Sequence, residues 1–390
     1  MPRPPLLIRS FRAVTLVVLS LLMVALPDAD AQVVIKKSSQ INVDVERFGG
    51  PNGSSAAAVV QQDLKATPGF RLAKVAGSTW TVKGVVQDNA LQGSLIDPTG
   101  RARFSRRYTA PSLATAAHQL SGDVIYEITG TRGLPGSKIV FSGSAGRGRE
   151  IFICDWDGKN LKQLTSDGSL AVSPAISPDG RKVAFTSYRS GYPDVWVLDL
   201  PTARRQRAYN SPGTNTGAAF SPDGRRIALT MSFSGNPELY VGPATGGRAR
   251  QLTKTIEVES SPSWSPDGRQ VAYVTSRGAG PRIAIVSAGG GRPKILNTGH
   301  GYNTEPSWSP DGKQIAFNVR GSGGMQIAVY EISTGRTRIV GSGEAPHWGP
   351  DSQHVVATKG GDLVLINTAD GSTRTIVKGR RAKEPSWTIR

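Results

Sequence analysis

Few side chains of this 390-residue sequence have the types and spacing that catalysis needs. The four histidines are His118, His300, His347 and His354, and none of them pair at the short spacing of a metal-binding motif. No serine has a glycine at both positions two residues away, so the Gly-x-Ser-x-Gly turn of a serine hydrolase is missing. The sequence therefore indicates neither a hydrolase triad nor a histidine-based metal centre.

Two further features could carry chemistry, namely Cys154 and the segment Asp155-Trp156-Asp157-Gly158. One cysteine cannot form an intramolecular disulfide, and Cys154 is expected to be a small buried apolar residue rather than a nucleophile. The Asp-x-Asp-Gly segment resembles the start of a calcium loop but lacks the rest of that pattern. As a turn between strands it needs no metal. We expect no catalytic residue, no cofactor and no metal site.

Glutamates that stand one to three residues before a proline suggest binding instead of catalysis. Glu259, Glu305, Glu344 and Glu384 stand in four segments that precede predicted strands, and they are interpreted as occupying the same place in each segment. Repeated around a ring, they predict a partial acidic ring on one face of a basic protein. The alternative interpretation is that each glutamate caps the start of a strand. His347 lies in the same kind of segment. It is interpreted either as a binding residue or as an ordinary exposed polar residue.

A repeat determines which elements position these residues. The sequence Ser-Pro-Asp-Gly recurs at intervals of 44 residues, and a worn copy, Gly349-Pro350-Asp351-Ser352, follows the last one after 40 residues. The four intact copies occupy residues 177–180, 221–224, 265–268 and 309–312. Proline fixes φ, aspartate bonds nearby amides and glycine accepts positive φ, so each copy predicts a hairpin turn. A period of about 40–45 residues with strand-like flanks is typical of a β-propeller blade.

Each repeat contains four predicted strands, which is the number in a propeller blade. The count of repeats gives six blades over residues 138–390, but the first blade lacks a strand in front of residue 138. The missing strand is predicted at the other end, because residues 383–387 copy the pattern of residues 304–308. The C-terminal strand should therefore pair with the first blade and close the ring, which removes exposed sheet edges.

The beginning of the chain predicts an exported protein. Residues 1–31 have three arginines, a 14-residue apolar stretch and the small-residue cleavage site Ala29-Asp30-Ala31, as in a secretory signal peptide. The alternative is a retained membrane anchor. Residues 32–133 mix predicted helices (56–66 and 111–128) with strands and suggest a small α/β domain. The predicted fold is thus an α/β N-terminal domain followed by an all-β six-bladed β-propeller, at 138–390, closed by the C-terminal strand.

The charge of the chain limits its partners. The formal net charge is +18, and the signal carries three arginines and two aspartates, a net +1, which leaves about +17 on the mature chain. Such a charge favours an anionic envelope component or an acidic protein face, or is simply a solvated basic surface. An exported protein meets little nucleic acid, so nucleic acid is not an expected partner. Export without disulfides is typical of a periplasmic protein.

Taken together, the signal, the small α/β domain and the six-bladed propeller resemble the TolB family of the periplasmic Tol–Pal system. The residues that carry the resemblance are the Ser-Pro-Asp-Gly hairpins, residues 303–308 (Asn-Thr-Glu-Pro-Ser-Trp) and the terminal Pro385-Ser386-Trp387. The resemblance covers nearly the whole mature chain. It implies a non-catalytic scaffold that links a TolA-like inner-membrane protein to Pal, a peptidoglycan-associated lipoprotein, and that supports envelope integrity and constriction in cell division.

The resemblance also implies where the partners bind. The mature N-terminus, an apolar strand-forming segment able to add to a sheet edge, would bind the TolA-like protein. This segment consists of Gln32, Val33, Val34, Ile35 and Lys36. One propeller face would bind the Pal-like lipoprotein, and the residues predicted there are Asn303, Thr304, Glu305, Glu259, Glu344 and His347.

A different class of function stays open at this point. The chain could be an exported propeller that binds a carbohydrate or another envelope ligand, or a catalytically silent relative of prolyl-oligopeptidase-type propellers. The Ser-Pro-Asp-Gly hairpin does not discriminate, because peptidase propellers share it. Recovery of a lipoprotein or of a glycan from envelope extracts would decide between the two classes.

Overall fold

The computed structural model describes residues 40–388. The predicted signal peptide, the predicted TolA-binding segment and the last two residues lie outside the described residues. The described residues belong to one compact unit and contain an α/β region followed by six four-stranded sheets. The fold class predicted from the sequence is therefore confirmed.

The α/β region is built on a five-stranded sheet with strand order β2-β1-β3-β4-β5. Strand β1 lies parallel to β2 and to β3, and the other neighbours are antiparallel. The elements are β1 (Ile41–Val45), α1 (Gly53–Ala66), β2 (Phe70–Leu72), β3 (Thr79–Gln87), β4 (Ala90–Ile96), β5 (Ala102–Tyr108) and α2 (Leu113–Thr129). Both helices share one buried apolar cluster with the sheet.

The helices of this region differ in detail from the prediction. Helix α2 begins two residues later than predicted, because Ser112 is extended and caps the helix by accepting a hydrogen bond from Thr115 N. Helix α1 begins at Gly53, three residues before the predicted start at residue 56. An added Cβ at Gly53 would lie 2.4 Å from the carbonyl oxygen of Phe48, so the close approach of the chain requires glycine. Strand β1 was not predicted.

The six sheets are the blades of the propeller, numbered here in chain order. Blade 1 contains β6 (Lys138–Ala145), β7 (Gly148–Asp155), β8 (Lys162–Gln163) and β29 (Lys383–Trp387). Blade 2 contains β9 (Ala171–Ile176), β10 (Lys182–Ser187), β11 (Asp194–Asp199) and β12 (Arg205–Tyr209). Blade 3 contains β13 (Asn215–Phe220), β14 (Arg226–Met231), β15 (Glu238–Pro243) and β16 (Arg250–Gln251).

The remaining blades repeat the same order. Blade 4 contains β17 (Glu259–Trp264), β18 (Gln270–Thr275), β19 (Arg282–Ser287) and β20 (Lys294–Ile295). Blade 5 contains β21 (Asn303–Trp308), β22 (Gln314–Gly321), β23 (Gly324–Glu331) and β24 (Thr337–Ser342). Blade 6 contains β25 (Glu344–Trp348), β26 (His354–Lys359), β27 (Asp362–Asn367) and β28 (Thr373–Val377).

The Ser-Pro-Asp-Gly turns join the first and second strands of blades 2 to 5, as predicted. In blade 5, Ser309 Oγ donates to Asp311 Oδ1 at 2.6 Å and accepts from Gln314 N at 2.9 Å. The other three intact copies make the same two bonds. The turn thus satisfies its own polar groups, which explains why serine and aspartate recur together.

The apolar core of the propeller lies between blades. For example, Leu239 and Val241 of blade 3 pack in one buried cluster with Trp264 and Tyr273 of blade 4. Because every blade buries its apolar side chains against its neighbour, the sheets depend on one another around the ring.

Strand β29 completes blade 1, as the sequence predicted. It pairs antiparallel with β6, with Ser386 opposite Val140 and Trp387 opposite Ile139. The Trp387 side chain is 1% exposed, and its Nε1 donates to Ser137 Oγ at 2.8 Å. The C-terminal strand is therefore an integral part of the first blade.

Neither helix in residues 40–388 is long and apolar enough to cross a membrane.

Cys154 is 1% exposed on β7, and burial raises the pKa of its thiol to about 12. The predicted role of Cys154 as a small buried apolar residue is confirmed.

Candidate functional site

A bulge recurs in the innermost strand of every described blade. The innermost strands of the six blades align over six positions. The residue at the third position has a φ between 48° and 62° and interrupts the pairing with the second strand. The six bulge residues are Ser173, Gly217, Ser261, Glu305, Ala345 and Glu384. A bulge re-aims the side chain that it carries. All six residues line a channel between the innermost strands, with a volume of about 230 Å³.

Two of the bulge residues are glutamates, and each of them bonds the next blade. Glu384 accepts from Ser173 N at 2.7 Å and from Ser173 Oγ at 3.1 Å. Glu305 accepts from Ala345 N at 3.0 Å, and burial raises the pKa of its carboxyl although that hydrogen bond opposes the rise. The carboxylates therefore join neighbouring blades at the channel wall.

The predicted acidic ring is wrong in its register. Glu305 and Glu384 occupy the bulge, but Glu259 lies two positions before the bulge and Glu344 one position before it. An offset of one residue turns a side chain to the other face of a strand, and an offset of two residues moves it by about 7 Å along the strand. The structure brings two of the four glutamates to the channel lining and places the other two elsewhere.

Two of the predicted face residues have buried side chains with structural bonds. Asn303 is fully buried, accepts from Thr298 Oγ1 at 2.7 Å and donates to His300 O at 2.9 Å, which fixes the preceding loop. Glu259 is 1% exposed and accepts from Thr255 Oγ1 and Thr275 Oγ1. Burial raises the pKa of its carboxyl. These two side chains position loops and are not presented to a partner.

The other predicted residues reach the surface or the channel. Thr304 is half-buried, and Glu344 has a side chain that is 46% exposed and lies 2.7 Å from Lys383 Nζ. His347 lines the channel together with Glu305. Of the six residues predicted to bind the Pal-like partner, these four remain accessible to a partner at the face or in the channel.

His347 has a structural counterpart in three other blades. In these four blades, the side chain at the fifth aligned position of the innermost strand accepts a hydrogen bond from a backbone N–H of the next blade. The acceptors are Ser263 Oγ for Trp308, Ser307 Oγ for Trp348, Ser386 Oγ for Ile176 and His347 Nδ1 for Trp387. Burial lowers the pKa of His347 to about 4, so the imidazole is neutral at pH 7. With the ring proton on Nε2, Nδ1 accepts from Trp387 N; in the other tautomer Nδ1 donates to Trp348 O at 3.2 Å. The predicted binding histidine thus takes the place of a blade-joining serine.

One face of the propeller is called the upper face here. It is the face on which the innermost strands begin and on which the second strands end, since Asn303 pairs with Val319 and Glu259 with Thr275. Loops from both sets of strands meet there, for example where Thr214 N donates to Ser232 Oγ at 2.8 Å. The Ser-Pro-Asp-Gly turns lie on the opposite, lower face.

The upper face carries large exposed apolar side chains that the sequence analysis missed. Tyr192 is 72% exposed, Phe233 is 50% exposed and Ile256 is 95% exposed. They belong to the loops β10–β11, β14–β15 and β16–β17, which are consecutive along blades 2 to 4. For Tyr192 and Phe233, the signal that could have found them is an aromatic residue in a loop that also contains serine, glycine and proline, at residues 188–193 and 232–237.

Cationic side chains repeat on the same face. In five blades the end of the second strand, or the loop that follows it, presents an exposed arginine or lysine. These residues are Arg147, Arg189, Arg277, Arg320 and Lys359. The corresponding loop of blade 3 carries Phe233 instead. The upper face is therefore a basic surface with an apolar sector.

Comparison with known proteins identifies the family of this fold. Residues 126–390 match the family described as TolB beta propeller domain. This range covers every described blade and the closing strand. The chain belongs to the TolB β-propeller domain family.

The TolB-family chain also matches individual curated proteins over parts of its length. It is 40% identical over 111 residues to the protein TolB homolog of Chlorobium chlorochromatii, which covers 28% of this chain and 25% of that protein. It is 31% identical over 194 residues to the Tol-Pal system protein TolB of Bordetella avium, which covers 42% of this chain and 44% of that protein. The chain thus spans less than half the length of these relatives.

A solved TolB structure shows the same fold over nearly the whole chain. The crystal structure of TolB from Acinetobacter baumannii matches with a TM-score of 0.73 and 24% sequence identity. The match covers 89% of this chain and 96% of that one. The TolB fold therefore extends through the α/β region as well as the propeller.

Proposed function

We propose that this TolB-family chain is a non-catalytic periplasmic scaffold of a Tol–Pal-like system. It links a TolA-like inner-membrane protein to a Pal-like peptidoglycan-associated lipoprotein, and it supports outer-membrane integrity and constriction in cell division. The observation that carries the proposal is the match of residues 126–390 to the TolB propeller domain. The name of the Bordetella relative, a Tol-Pal system protein, supports the same assignment.

The upper face has the chemistry of a protein-docking surface. Protein interfaces are enriched in aromatic residues and arginine, and their binding energy is concentrated in a few such side chains. Tyr192, Phe233 and Ile256 supply exposed apolar area on consecutive loops. Burial of these side chains against a partner would remove apolar surface from water. We assign the Pal-like partner to this face.

The charge of the upper face defines the partner further. Exposed arginine or lysine side chains in five blades attract an acidic surface and accelerate its association. Glu305 and Glu384 are turned into the channel and Glu259 is buried. By contrast, Glu344 and Asp167, which lies 3.6 Å from Arg189 Nη1, offset part of this positive charge. The Pal-like partner should therefore present an acidic patch next to an apolar one.

The TolA-like partner is assigned to the mature N-terminus. Gln32, Val33, Val34, Ile35 and Lys36 form an apolar, β-branched segment that could add as a strand to the edge of a partner sheet. This segment precedes β1 in the sequence and lies outside the propeller residues 138–390. The two partners would then bind at different places on one chain.

A binding assay with charge reversal tests the proposal. The mature protein is titrated with the soluble domain of the Pal-like lipoprotein from the same organism, and Arg277→Glu is compared with Arg225→Glu. Arg277 is exposed on the upper face, and Arg225 is exposed in a lower-face turn. We expect roughly 10-fold slower association for Arg277→Glu and no change for Arg225→Glu, because only the former charge faces the partner.

Two outcomes would contradict this assignment. Equal effects of the two substitutions would mean that the partner does not use the upper face. Failure of the unmodified protein to bind the lipoprotein, together with binding of an envelope glycan, would favour the carbohydrate-binding alternative.

A further inference from the structure

One histidine and two aspartates meet where the α/β region contacts blade 1. His118 is on α2, Asp155 is the last residue of β7 and Asp157 is in the turn that follows. One ligand atom from each residue lies within 4.8 Å of the other two. His118 and Asp155 are each 3% exposed, and the Asp157 side chain is 5% exposed. The cluster is thus almost completely removed from solvent.

Helix α1 fixes the orientation of the histidine ring. His118 Nδ1 lies 2.8 Å from Asp63 Oδ2, and Asp63 is 1% exposed. A carboxylate accepts the Nδ1 proton, so in the neutral ring Nε2 carries the free lone pair. Nε2 of His118 is buried and has no hydrogen-bond partner among residues 40–388. A carboxylate behind a histidine whose second nitrogen is free is the usual arrangement behind a metal-ligating imidazole.

With His118 in its neutral form, the carboxylates around the cluster outnumber the ammonium groups by one. Asp63, Asp155 and Asp157 supply three carboxylates, and the nearby ammonium groups are Lys138, against Asp155, and Lys159, 3.0 Å from Asp157 Oδ2. The Lys138 and Lys159 side chains are 29% and 56% exposed, so both can turn towards water and free a carboxylate oxygen. Asn160 Nδ2 donates to Asp155 Oδ2 at 2.6 Å and holds that carboxylate in place.

We propose that His118 Nε2, Asp155 and Asp157 bind a divalent metal ion, with Asp63 as the residue that orients His118. One imidazole nitrogen and two carboxylate oxygens suit Zn²⁺, whereas Ca²⁺ takes six to eight oxygen ligands. A water molecule would supply the fourth ligand. The Asp-x-Asp turn looks like an ordinary turn in the sequence, because its third ligand comes from a helix 37 residues earlier.

The site would tie together three elements, namely the turn after β7 and the two helices. The metal joins the turn after β7 to α2, and the Asp63–His118 hydrogen bond extends the link to α1. Trp156 lies between the two aspartates and packs edge-on against the His118 ring, with centroids 6.4 Å apart. The predicted consequence of metal binding is that the α/β region is held more firmly on the propeller.

Zinc titration of the chelator-treated mature protein tests the proposal. Calorimetry should show one bound Zn²⁺ per chain for the unmodified protein and for His300→Gln, which is the control because His300 lies in a loop of the upper face. His118→Gln and Asp157→Asn should each weaken zinc binding at least about 100-fold, since each loses a ligand. Asp63→Asn should weaken it by about 10-fold to 100-fold. Zinc should raise the Tm of the unmodified protein and not that of His118→Gln.

Asp157→Asn guards against a folding artefact, because it changes a turn residue and leaves the His118–Asp63 pair intact. Its circular dichroism spectrum and its Tm without zinc are recorded first. Absence of stoichiometric zinc binding by the unmodified protein would overturn the proposal. Undiminished binding by a folded Asp157→Asn protein would also overturn it, because the ion would then be bound elsewhere.

Discussion

The carboxylate of Glu384 accepts two hydrogen bonds from Ser173, a residue that precedes it by 211 positions in the chain. Glu384 is in the strand that closes blade 1, and Ser173 is in the innermost strand of blade 2. The bond therefore joins the end of the chain to the second blade of the ring. Hydrogen bonds to an ionised carboxylate are stronger than neutral ones, so this contact reinforces ring closure.

The channel glutamate Glu305 predicts a gain of stability on mild acidification. Burial raises the pKa of Glu305 above its ordinary value of 4.5. The stability that depends on protonated Glu305 is therefore fully present below pH 4.5 and is lost as the pH rises through the raised pKa. Glu305→Gln keeps an oxygen acceptor for Ala345 N and carries no charge. When the pH is lowered from 7 to 4.5, the Tm of the unmodified protein minus the Tm of Glu305→Gln should therefore increase by a few degrees.

The matched control for this experiment is Glu344→Gln, at an exposed glutamate one position before the next bulge. This substitution should leave the pH profile of the Tm nearly unchanged. A relative Tm of Glu305→Gln that is the same at both pH values would show that burial does not perturb the Glu305 carboxyl.

His347 predicts the opposite pH dependence. Its pKa is about 4 in the folded protein, compared with an ordinary value of 6.5, so protons bind the unfolded chain first as pH falls. The stability that depends on neutral His347 is present above pH 6.5 and is lost as pH falls towards 4, by at most about 3 kcal/mol. His347→Ser restores the acceptor of the other blades and should reduce acid sensitivity in this window. Thermal melts at pH 7.5 and pH 5 measure this acid sensitivity. An equal change of Tm with pH in the unmodified protein and in His347→Ser would contradict the role of neutral His347.

The apolar sector of the upper face predicts a binding defect without a folding defect. Tyr192 is 72% exposed, so Tyr192→Ala should leave the Tm unchanged. If the side chain is an interface anchor, its loss should weaken binding of the Pal-like domain by about 10-fold or more. Tyr126→Ala on α2, where the tyrosine is 45% exposed, is the control and should bind normally. Calorimetry gives both affinities, and a normal affinity for Tyr192→Ala would move the interface away from this sector.

The N-terminal segment predicts separable partners. Deletion of residues 32–37 from the mature chain should abolish binding of the TolA-like protein, because the segment that would add to its sheet edge is removed. Binding of the Pal-like domain should stay unchanged, since the propeller is intact. Parallel pull-downs with the two purified partners measure both effects. Loss of both interactions, or of neither, would refute the division of binding sites.

Most of the fold could be predicted from the sequence because the turns are local. Ser309, Asp311 and Gln314 satisfy one another within six residues, so the motif that repeats in the sequence is also the structural unit. The closing strand was predictable for the same reason, since Trp387 stands at the end of a copied segment. Helix α1 was less predictable, because its beginning depends on contact between Gly53 and Phe48.

The candidate site was only partly predictable, because its geometry depends on offsets of one residue. Glu305 directly precedes Pro306, whereas Glu344 stands two residues before Pro346, and the bulge places only Glu305 in the channel lining. The burial of Asn303 depends on Thr298 and His300, which a pattern of strands does not show. Likewise, His118 and Asp157 meet through packing of a helix on a blade, which leaves no periodic signal in the sequence.

Ring closure by β29 is the claim on which the docking face depends, and hydrogen exchange measures it directly. The full chain is compared with a chain that lacks residues 383–390, and the amides of β6 are followed. Removal of β29 takes away one of the two strands that pair with β6, the other being β7, together with the buried side chain of Trp387. We predict strong protection of β6 in the full chain and rapid exchange, with a lower Tm, in the truncated chain. Equal protection of β6 in both chains would contradict the closed ring.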